Sequence, residues 1–333
     1  MTGVWSWVGF NAVVLTLIAV DLLVFHRRPR HVSLKEAAAW SAMWVGLSLT
    51  FAVFVFRFMG RTSGLEFLTG YLIEYALSVD NIFVFVLIFG YFRIPMQYQH
   101  RVLLWGIMGA LILRGTMIGA GAVLVSRFEW ILYVFGAFLV FTGVRMALQK
   151  SEEQYDPEEN PMIRLVRRVI PVTSEYHGQK FFVRAPDADG VTRLMATPLF
   201  VVLVLVETTD VIFATDSIPA IFAITRDPYI VYTSNVCAVL GLRALYFLLA
   251  GIVDKFHYLK VGLSVVLVFI GLKMLGENFV HIPIGVSLGV VAGILVVSVI
   301  ASLRWPRHDL PSIPPLAALG QHHHDKPAEP KKE

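Results

Sequence analysis

Cysteine is almost absent: its single copy, Cys237, lies inside an apolar run. One cysteine excludes an intrachain disulfide and a thiolate cluster for zinc or iron–sulfur, and leaves a packing role. Charge is scarce as well, 16% of 333 residues against 56% hydrophobic, and the apolar residues come in long blocks rather than in short-period alternation. That is a membrane composition. The small basic excess, net +4, is spread over the connections between apolar runs and not gathered with aromatics on one polar face. No nucleic-acid partner is expected, and the basic residues read as topology signals. Histidine pairs at ligand spacing are missing from the apolar runs, as are nucleophile–base pairs at helical spacing. The expectation is a protein that is not an enzyme and carries no haem or other organic cofactor. No charged segment or small-residue cleavage site precedes Asn11, so the first apolar run is expected to be a retained span rather than a removed signal peptide.

Nine apolar runs, at 4–25, 37–58, 67–90, 102–125, 129–148, 196–221, 230–251, 259–276 and 283–303, are each long enough as a helix to cross the ~30 Å hydrocarbon core. The expected fold class is all-α, a polytopic membrane protein of about nine transmembrane helices whose main partner is the lipid bilayer. Arg27, Arg28, Arg30 and Lys35 follow span one, and Arg93 and Arg101 flank the turn after span three. Lys150, Arg164, Arg167, Arg168, Lys180, Arg184 and Arg193 follow span five, Lys255 and Lys260 span seven, Arg304 and Arg307 span nine. If all of these face the cytoplasm, the N-terminus is outside and the C-terminus inside, which requires an odd number of spans. The connection 149–195 begins acidic, with Glu152, Glu153, Asp156, Glu158 and Glu159. Its second half, 179–196, alternates around Pro186-Asp187-Ala188-Asp189-Gly190, the pattern of a β-hairpin. The Pro- and His-containing stretch from Pro311, with His322-His323-His324, reads as a disordered polar tail.

Two stretches interrupt the apolar runs with acid: Glu74-Tyr75-Ala76-Leu77-Ser78-Val79-Asp80-Asn81 and Glu207-Thr208-Thr209-Asp210-Val211-Ile212-Phe213-Ala214-Thr215-Asp216-Ser217-Ile218-Pro219. A carboxylate at the centre of a spanning helix costs roughly 2.5 to 3.5 kcal/mol on insertion scales, so a function is expected of them. They correspond to one another. Glu74 and Asp80 are six apart, as are Asp210 and Asp216, and each pair is followed by a small polar residue, Asn81 or Ser217. Ala110-Leu111-Ile112-Leu113-Arg114 matches Val239-Leu240-Gly241-Leu242-Arg243. Leu139-Val140-Phe141-Thr142-Gly143-Val144-Arg145-Met146 matches Leu267-Val268-Phe269-Ile270-Gly271-Leu272-Lys273-Met274 at five of eight positions. Three matches in one order make spans three to five and six to eight two copies of a three-helix unit. An odd number of crossings between corresponding helices makes the copies inverted. The expected parts are thus two N-terminal helices (1–66), a first repeat (67–148), the loop (149–195), a second repeat (196–276), a ninth helix (277–305) and the tail (306–333).

Glu74, Asp80, Asp210 and Asp216 are the candidate metal-binding residues, supported by Asn81, Glu207, Ser217, Thr208 and Ser78. On a straight helix a six-residue step turns the second side chain by roughly 120°. Pro219 is therefore expected to break span six near Asp216, so that oxygens converge near the midplane. A break in span three, if there is one, comes from the polar run at 78–81. The alternative without any break keeps Glu207 and Asp210 on one face and leaves helix contact to join Asp80 with Asp216. An all-oxygen set favours hard cations, Mg²⁺, Ca²⁺ or Mn²⁺. Carboxylates that repel one another also raise one another's proton affinity, which suits cation/proton exchange. Arg114 and Arg243 are candidate counter-ions to these acids; the competing reading makes them structural or snorkelling side chains. Asp21, near the end of span one, reads as interfacial.

The two acidic stretches, extended to Ala220, closely resemble the signature motifs of the TerC family of bacterial and plastid membrane proteins, within the wider LysE-type transporter superfamily. The resemblance runs from span one through Arg193-Leu194-Met195-Ala196-Thr197-Pro198 to span nine, and only the His-containing tail departs from it. It implies manganese homeostasis in a bacterial inner membrane: export of Mn²⁺ as transported substrate, with some members tied by name to tellurite resistance and some to metal loading of exported enzymes. The residues by themselves reach only a hard divalent cation, with Ca²⁺ an alternative to Mn²⁺. A different class of function also stays open, a membrane scaffold or assembly factor whose charges fix helix packing and whose loop and tail bind partners. A homo-oligomer or a secretion and metal-loading partner is compatible with either.

Overall fold

The computed structural model describes residues 3–21, 33–92, 94–148, 168, 170–173, 176–186, 192–250 and 257–305. Among the described residues ten helices are named in order: α1 (Val4–Val20), α2 (Leu34–Met59), α3 (Arg61–Tyr91), α4 (Met96–Arg127), α5 (Ile131–Leu148), α6 (Pro198–Phe222), α7 (Pro228–Leu240), α8 (Leu242–Leu249), α9 (His257–Leu275) and α10 (Ile284–Arg304). Seven of these, and α7 with α8 taken together, are long and apolar enough to cross a membrane. The 17-residue α1 reaches the lower end of the spanning range. The chain is an all-α polytopic membrane protein of eight to nine spanning helices.

A short antiparallel hairpin interrupts the helices, β1 (Phe182–Pro186) paired with β2 (Thr192–Ala196) in the register Phe182↔Ala196 to Pro186↔Thr192. The expectation of a hairpin is met. Its turn at 187–190, the acidic stretch at 152–159 and the tail with its three histidines lie outside the described residues. The hairpin segment is fastened to one end of the bundle. Phe181 and Tyr176 pack on the cluster formed by α3, α4, α6 and α8, and the Tyr176 hydroxyl donates to the Phe92 carbonyl at 2.5 Å. The Arg101 guanidinium lies 5.0 Å from the Phe181 ring centre, a cation–π distance. Beneath it, buried Tyr246 donates to Gln99, whose amide donates to the Ile94 carbonyl, both at 2.9 Å.

The arrangement of the bundle follows from where the small residues are. In lipid, helices gain little from apolar burial alone, so close approach at glycine and serine decides which pairs form. α5 and α9 meet at such a seam: a Cβ added at Gly143 would stand 2.8 Å from the Ser264 carbonyl and 3.0 Å from the Val268 nitrogen. One added at Gly271 would stand 2.7 Å from the Gly136 carbonyl and 2.9 Å from the Val140 nitrogen. The two contacts exchange under the sequence match, in which Gly143 corresponds to Gly271 and Val140 to Val268. α7 occupies the middle, with every residue from Tyr229 to Leu240 except Tyr232 buried, whereas α1 buries one stripe, Phe10, Val14 and Ile18.

The break expected in span six is absent, and span three is not broken either. α3 runs unbroken through Ser78–Asn81, because serine and asparagine cost a helix only a few tenths of a kcal/mol in propensity, while backbone groups released into lipid cost several kcal/mol each. α6 also continues through Pro219. That proline lies in the last turn, where its missing amide removes one bond and the Ala223 N–H closes the end on the Pro219 carbonyl at 3.0 Å. The interruption is in span seven instead, a turn at Gly241 between α7 and α8 whose φ −75° and ψ −14° stay in the right-handed helical region. Glycine is the weakest helix former after proline.

Candidate functional site

The site is built on α3, α4, α6 and α7. Small residues on α4 let α6 come close: a Cβ at Gly106 would lie 3.2 Å from Val206, and one at Gly109 would run into the Glu207 carboxylate. On α3, Gly70 faces Ser234 of α7. This approach brings side chains from three helices to one buried point, without any helix break.

At that point Arg114 of α4 is 1% exposed. Its Nε and Nη2 donate to the two oxygens of Asp210 at 2.9 and 2.7 Å, a bidentate pair, and Nη1 donates to Glu74 Oε1. Glu74 and Asp210 are the corresponding residues of the two acidic stretches. Both are buried, at 1% and 4% exposure, near the middle of their helices. Two carboxylates thus share one guanidinium. Glu74 Oε2 is buried with no hydrogen-bond partner among the described residues, and so are Ser78 Oγ one turn on and Glu207 Oε2. Arg114 is a counter-ion to two of the four predicted metal ligands.

The other two ligands are placed elsewhere. Asp80 is half-buried and lies in the field of Lys260 of α9. Asp216 meets Thr142 and lies near Arg145, both on α5. Among the described residues no group of three or more His, Cys, Asp or Glu is close enough to hold a metal ion. Of the supporting residues, Asn81 and Ser217 are buried, Ser217 with an unpartnered hydroxyl, and half-buried Thr208 donates to the Val204 carbonyl at 2.7 Å. Glu207 stands one turn before Asp210 over Gly109. Arg243 is not a counter-ion to the predicted acids. It pairs with Asp21 at the end of α1, and Asp21 is buried among protein side chains at 9% exposure. An acid at the end of an apolar run carries no mark in the sequence of which helix will cover it, so only packing reveals this pair.

Asn235 lies outside both acidic motifs. It is 0% exposed on α7, and neither its Oδ1 nor its Nδ2 has a hydrogen-bond partner among the described residues. An amide in an apolar span was the available signal.

Comparison with known proteins agrees with this architecture. Residues 59–309 match the integral membrane protein TerC family. Over 302 residues the chain is 55% identical to the uncharacterized membrane protein STKORF319 of Myxococcus xanthus, covering 91% of this chain and 93% of that one. Over 314 residues it is 52% identical to Alx of Escherichia coli K12, whose name describes it as a candidate membrane-bound redox modulator, covering 91% and 96%. No solved structure matches. The chain belongs to the TerC family of integral membrane proteins.

Proposed function

We propose that the protein is a secondary transporter that exports a hard divalent cation, Mn²⁺, in exchange for protons, from a bacterial inner membrane with the N-terminus outside and the C-terminus in the cytoplasm. The observation that carries this reading is the Glu74–Arg114–Asp210 constellation: two buried carboxylates against one guanidinium, in mid-helix, with a carboxylate oxygen to spare. Intramembrane acids in excess of their counter-ions mark ion pathways. Oxygen donors suit Mn²⁺ and equally Ca²⁺. Arg114 acts as a tethered competitor, since a cation or protons arriving at Glu74 and Asp210 weaken its hold on both. The exchange of the α5 and α9 contacts under the sequence match supports an inverted repeat, the usual framework for alternating access.

The name of the Alx relatives suggests redox modulation. One buried cysteine gives this chain no dithiol for exchange within itself, so any redox effect is read here as a consequence of metal movement. The test is Mn²⁺ uptake into sealed proteoliposomes with and without an imposed pH gradient, with Ca²⁺ as competitor. Gradient-driven Mn²⁺ movement lost in Glu74→Gln and Asp210→Asn supports the reading; movement unchanged in both variants overturns it.

A scaffold role, in which the acids only hold helices, is favoured by the completeness of the Arg114 pairing to Asp210. It predicts that deleting the hairpin abolishes function, while neutral substitutions of the acids merely lower stability.

A further inference from the structure

We propose that Asn235 is a binding residue of the central site, offering its amide oxygen as a neutral ligand to the divalent cation between Glu74 and Asp210. The inference rests on the transport reading and adds to it a helix and a ligand type that the acidic motifs do not contain.

The placement comes from matched helical spacing. On α7, Val231, Asn235 and Val239 succeed one another at one-turn intervals and so share a face. Val231 packs in the cluster that holds Ile118 of α4 with Ala214 and Ile218 of α6. Val239 packs with Ile107 and Ala110 of α4. On α4, Ala110, Arg114 and Ile118 also follow at one-turn intervals. α4 runs antiparallel to α7, Gly115 facing Tyr232 where Ala110 clusters with Val239. The residue opposite Asn235 is therefore Arg114, which holds Glu74 and Asp210.

The energetics call for a ligand. A fully buried amide with no partner costs about 1–3 kcal/mol, and a spanning helix has no water to supply one. Glu74 Oε2, also unpartnered, belongs to the same site. A hard cation stripped of water needs more oxygens than two carboxylates supply, and a neutral amide adds one without adding charge. Limiting the negative charge in this way keeps binding weak enough for release, which transport requires.

The test is Mn²⁺ binding to the purified full chain, read as loss of the free-ion paramagnetic resonance signal on titration with MnCl₂, alongside the thermal unfolding midpoint without added metal. Asn235→Leu is expected to weaken Mn²⁺ binding tenfold or more while leaving the midpoint unchanged or raised, because an apolar side chain of similar volume removes an unpaired buried amide. Asn235→Asp keeps an oxygen in place and is expected to bind Mn²⁺ at least as tightly as wild type. Wild-type affinity in Asn235→Leu overturns the inference alone. So does a lowered midpoint shared by both variants with affinity lost in both, which marks a packing residue. A wild-type chain that binds no Mn²⁺ overturns the transport reading and the inference with it.

Discussion

Arg243 is held by Asp21 of the first helix, whereas Arg114, its counterpart in the sequence match, is held by Glu74 and Asp210. The two matched arginines are thus paired with different acids, Arg243 with one on α1's end and Arg114 with one each on α3 and α6. Removing one partner of a buried pair leaves an uncompensated charge and costs about 3–5 kcal/mol. Asp21→Asn is expected to lower stability by that order in denaturant titrations in detergent. Asp21→Leu combined with Arg243→Met is expected to recover most of the loss. A single variant with wild-type stability would show that the pair is not formed.

The α5–α9 seam gives a prediction that does not depend on charge. With backbone atoms of the facing helix 2.7 to 3.0 Å from where a Cβ would stand at Gly143 or Gly271, even alanine forces the helices apart. Backbone cannot yield as a side chain does. Gly143→Ala and Gly271→Ala are each expected to cost about 1–3 kcal/mol. Gly289, with nothing within 4 Å of its added Cβ, is expected to tolerate alanine. The midpoint of thermal unfolding for the three variants checks the order.

The spans were legible because a ~30 Å apolar core imposes a length and composition that nothing else in a chain imitates. The hairpin was legible for a similar reason, since period-two alternation around Pro186 and Asp187 has few other solutions. Glu74, Arg114 and Asp210 could be named because charge in lipid must be explained. Arg114 was legible as a counter-ion; which two acids it holds was not, and neither was the separation of Asp80 and Asp216. Which face of a helix meets which neighbour depends on Gly106 and Gly109 fitting Val206 and Glu207, a packing fact with no local signature. The break expected in span six was misplaced because a proline's effect depends on its position in the helix. Pro219 is too near the end of α6 to break it, and Gly241 was passed over.

The hairpin's anchor has a defined pH range. Burial pushes the Tyr176 hydroxyl up from its ordinary value of 10.0 to about 12. A group whose folded value is raised contributes stability that is complete below its unfolded value and is lost as pH rises through the folded one. The Tyr176–Phe92 contact is therefore expected to be indifferent to pH from 5 to 9 and to loosen only between about 10 and 12. Protease cleavage of the loop near the hairpin, followed across that range, reads the release. Tyr176→Phe is expected to raise cleavage at pH 7 by the several-fold that loss of a hydrogen bond worth about 1 kcal/mol gives. Cleavage rising between pH 6 and 8 would refute this assignment.

Arg114→Lys separates the two readings of the central acids. Lysine keeps the charge and loses the planar fork, so it cannot reach both oxygens of Asp210 and also Glu74 as the guanidinium does. If the constellation only holds helices together, the variant loses stability by a few kcal/mol and gains no new property. If Arg114 is a competitor for a cation site, the weaker hold frees Glu74 and Asp210, and Mn²⁺ binding to the purified chain becomes tighter, by about tenfold for each 1.4 kcal/mol of pairing lost. Transport by the same variant is then expected to slow, because release is harder when nothing displaces the ion. Tighter binding together with slower transport is an outcome the scaffold reading does not produce. Measuring Mn²⁺ affinity and proteoliposome flux on one preparation decides between them.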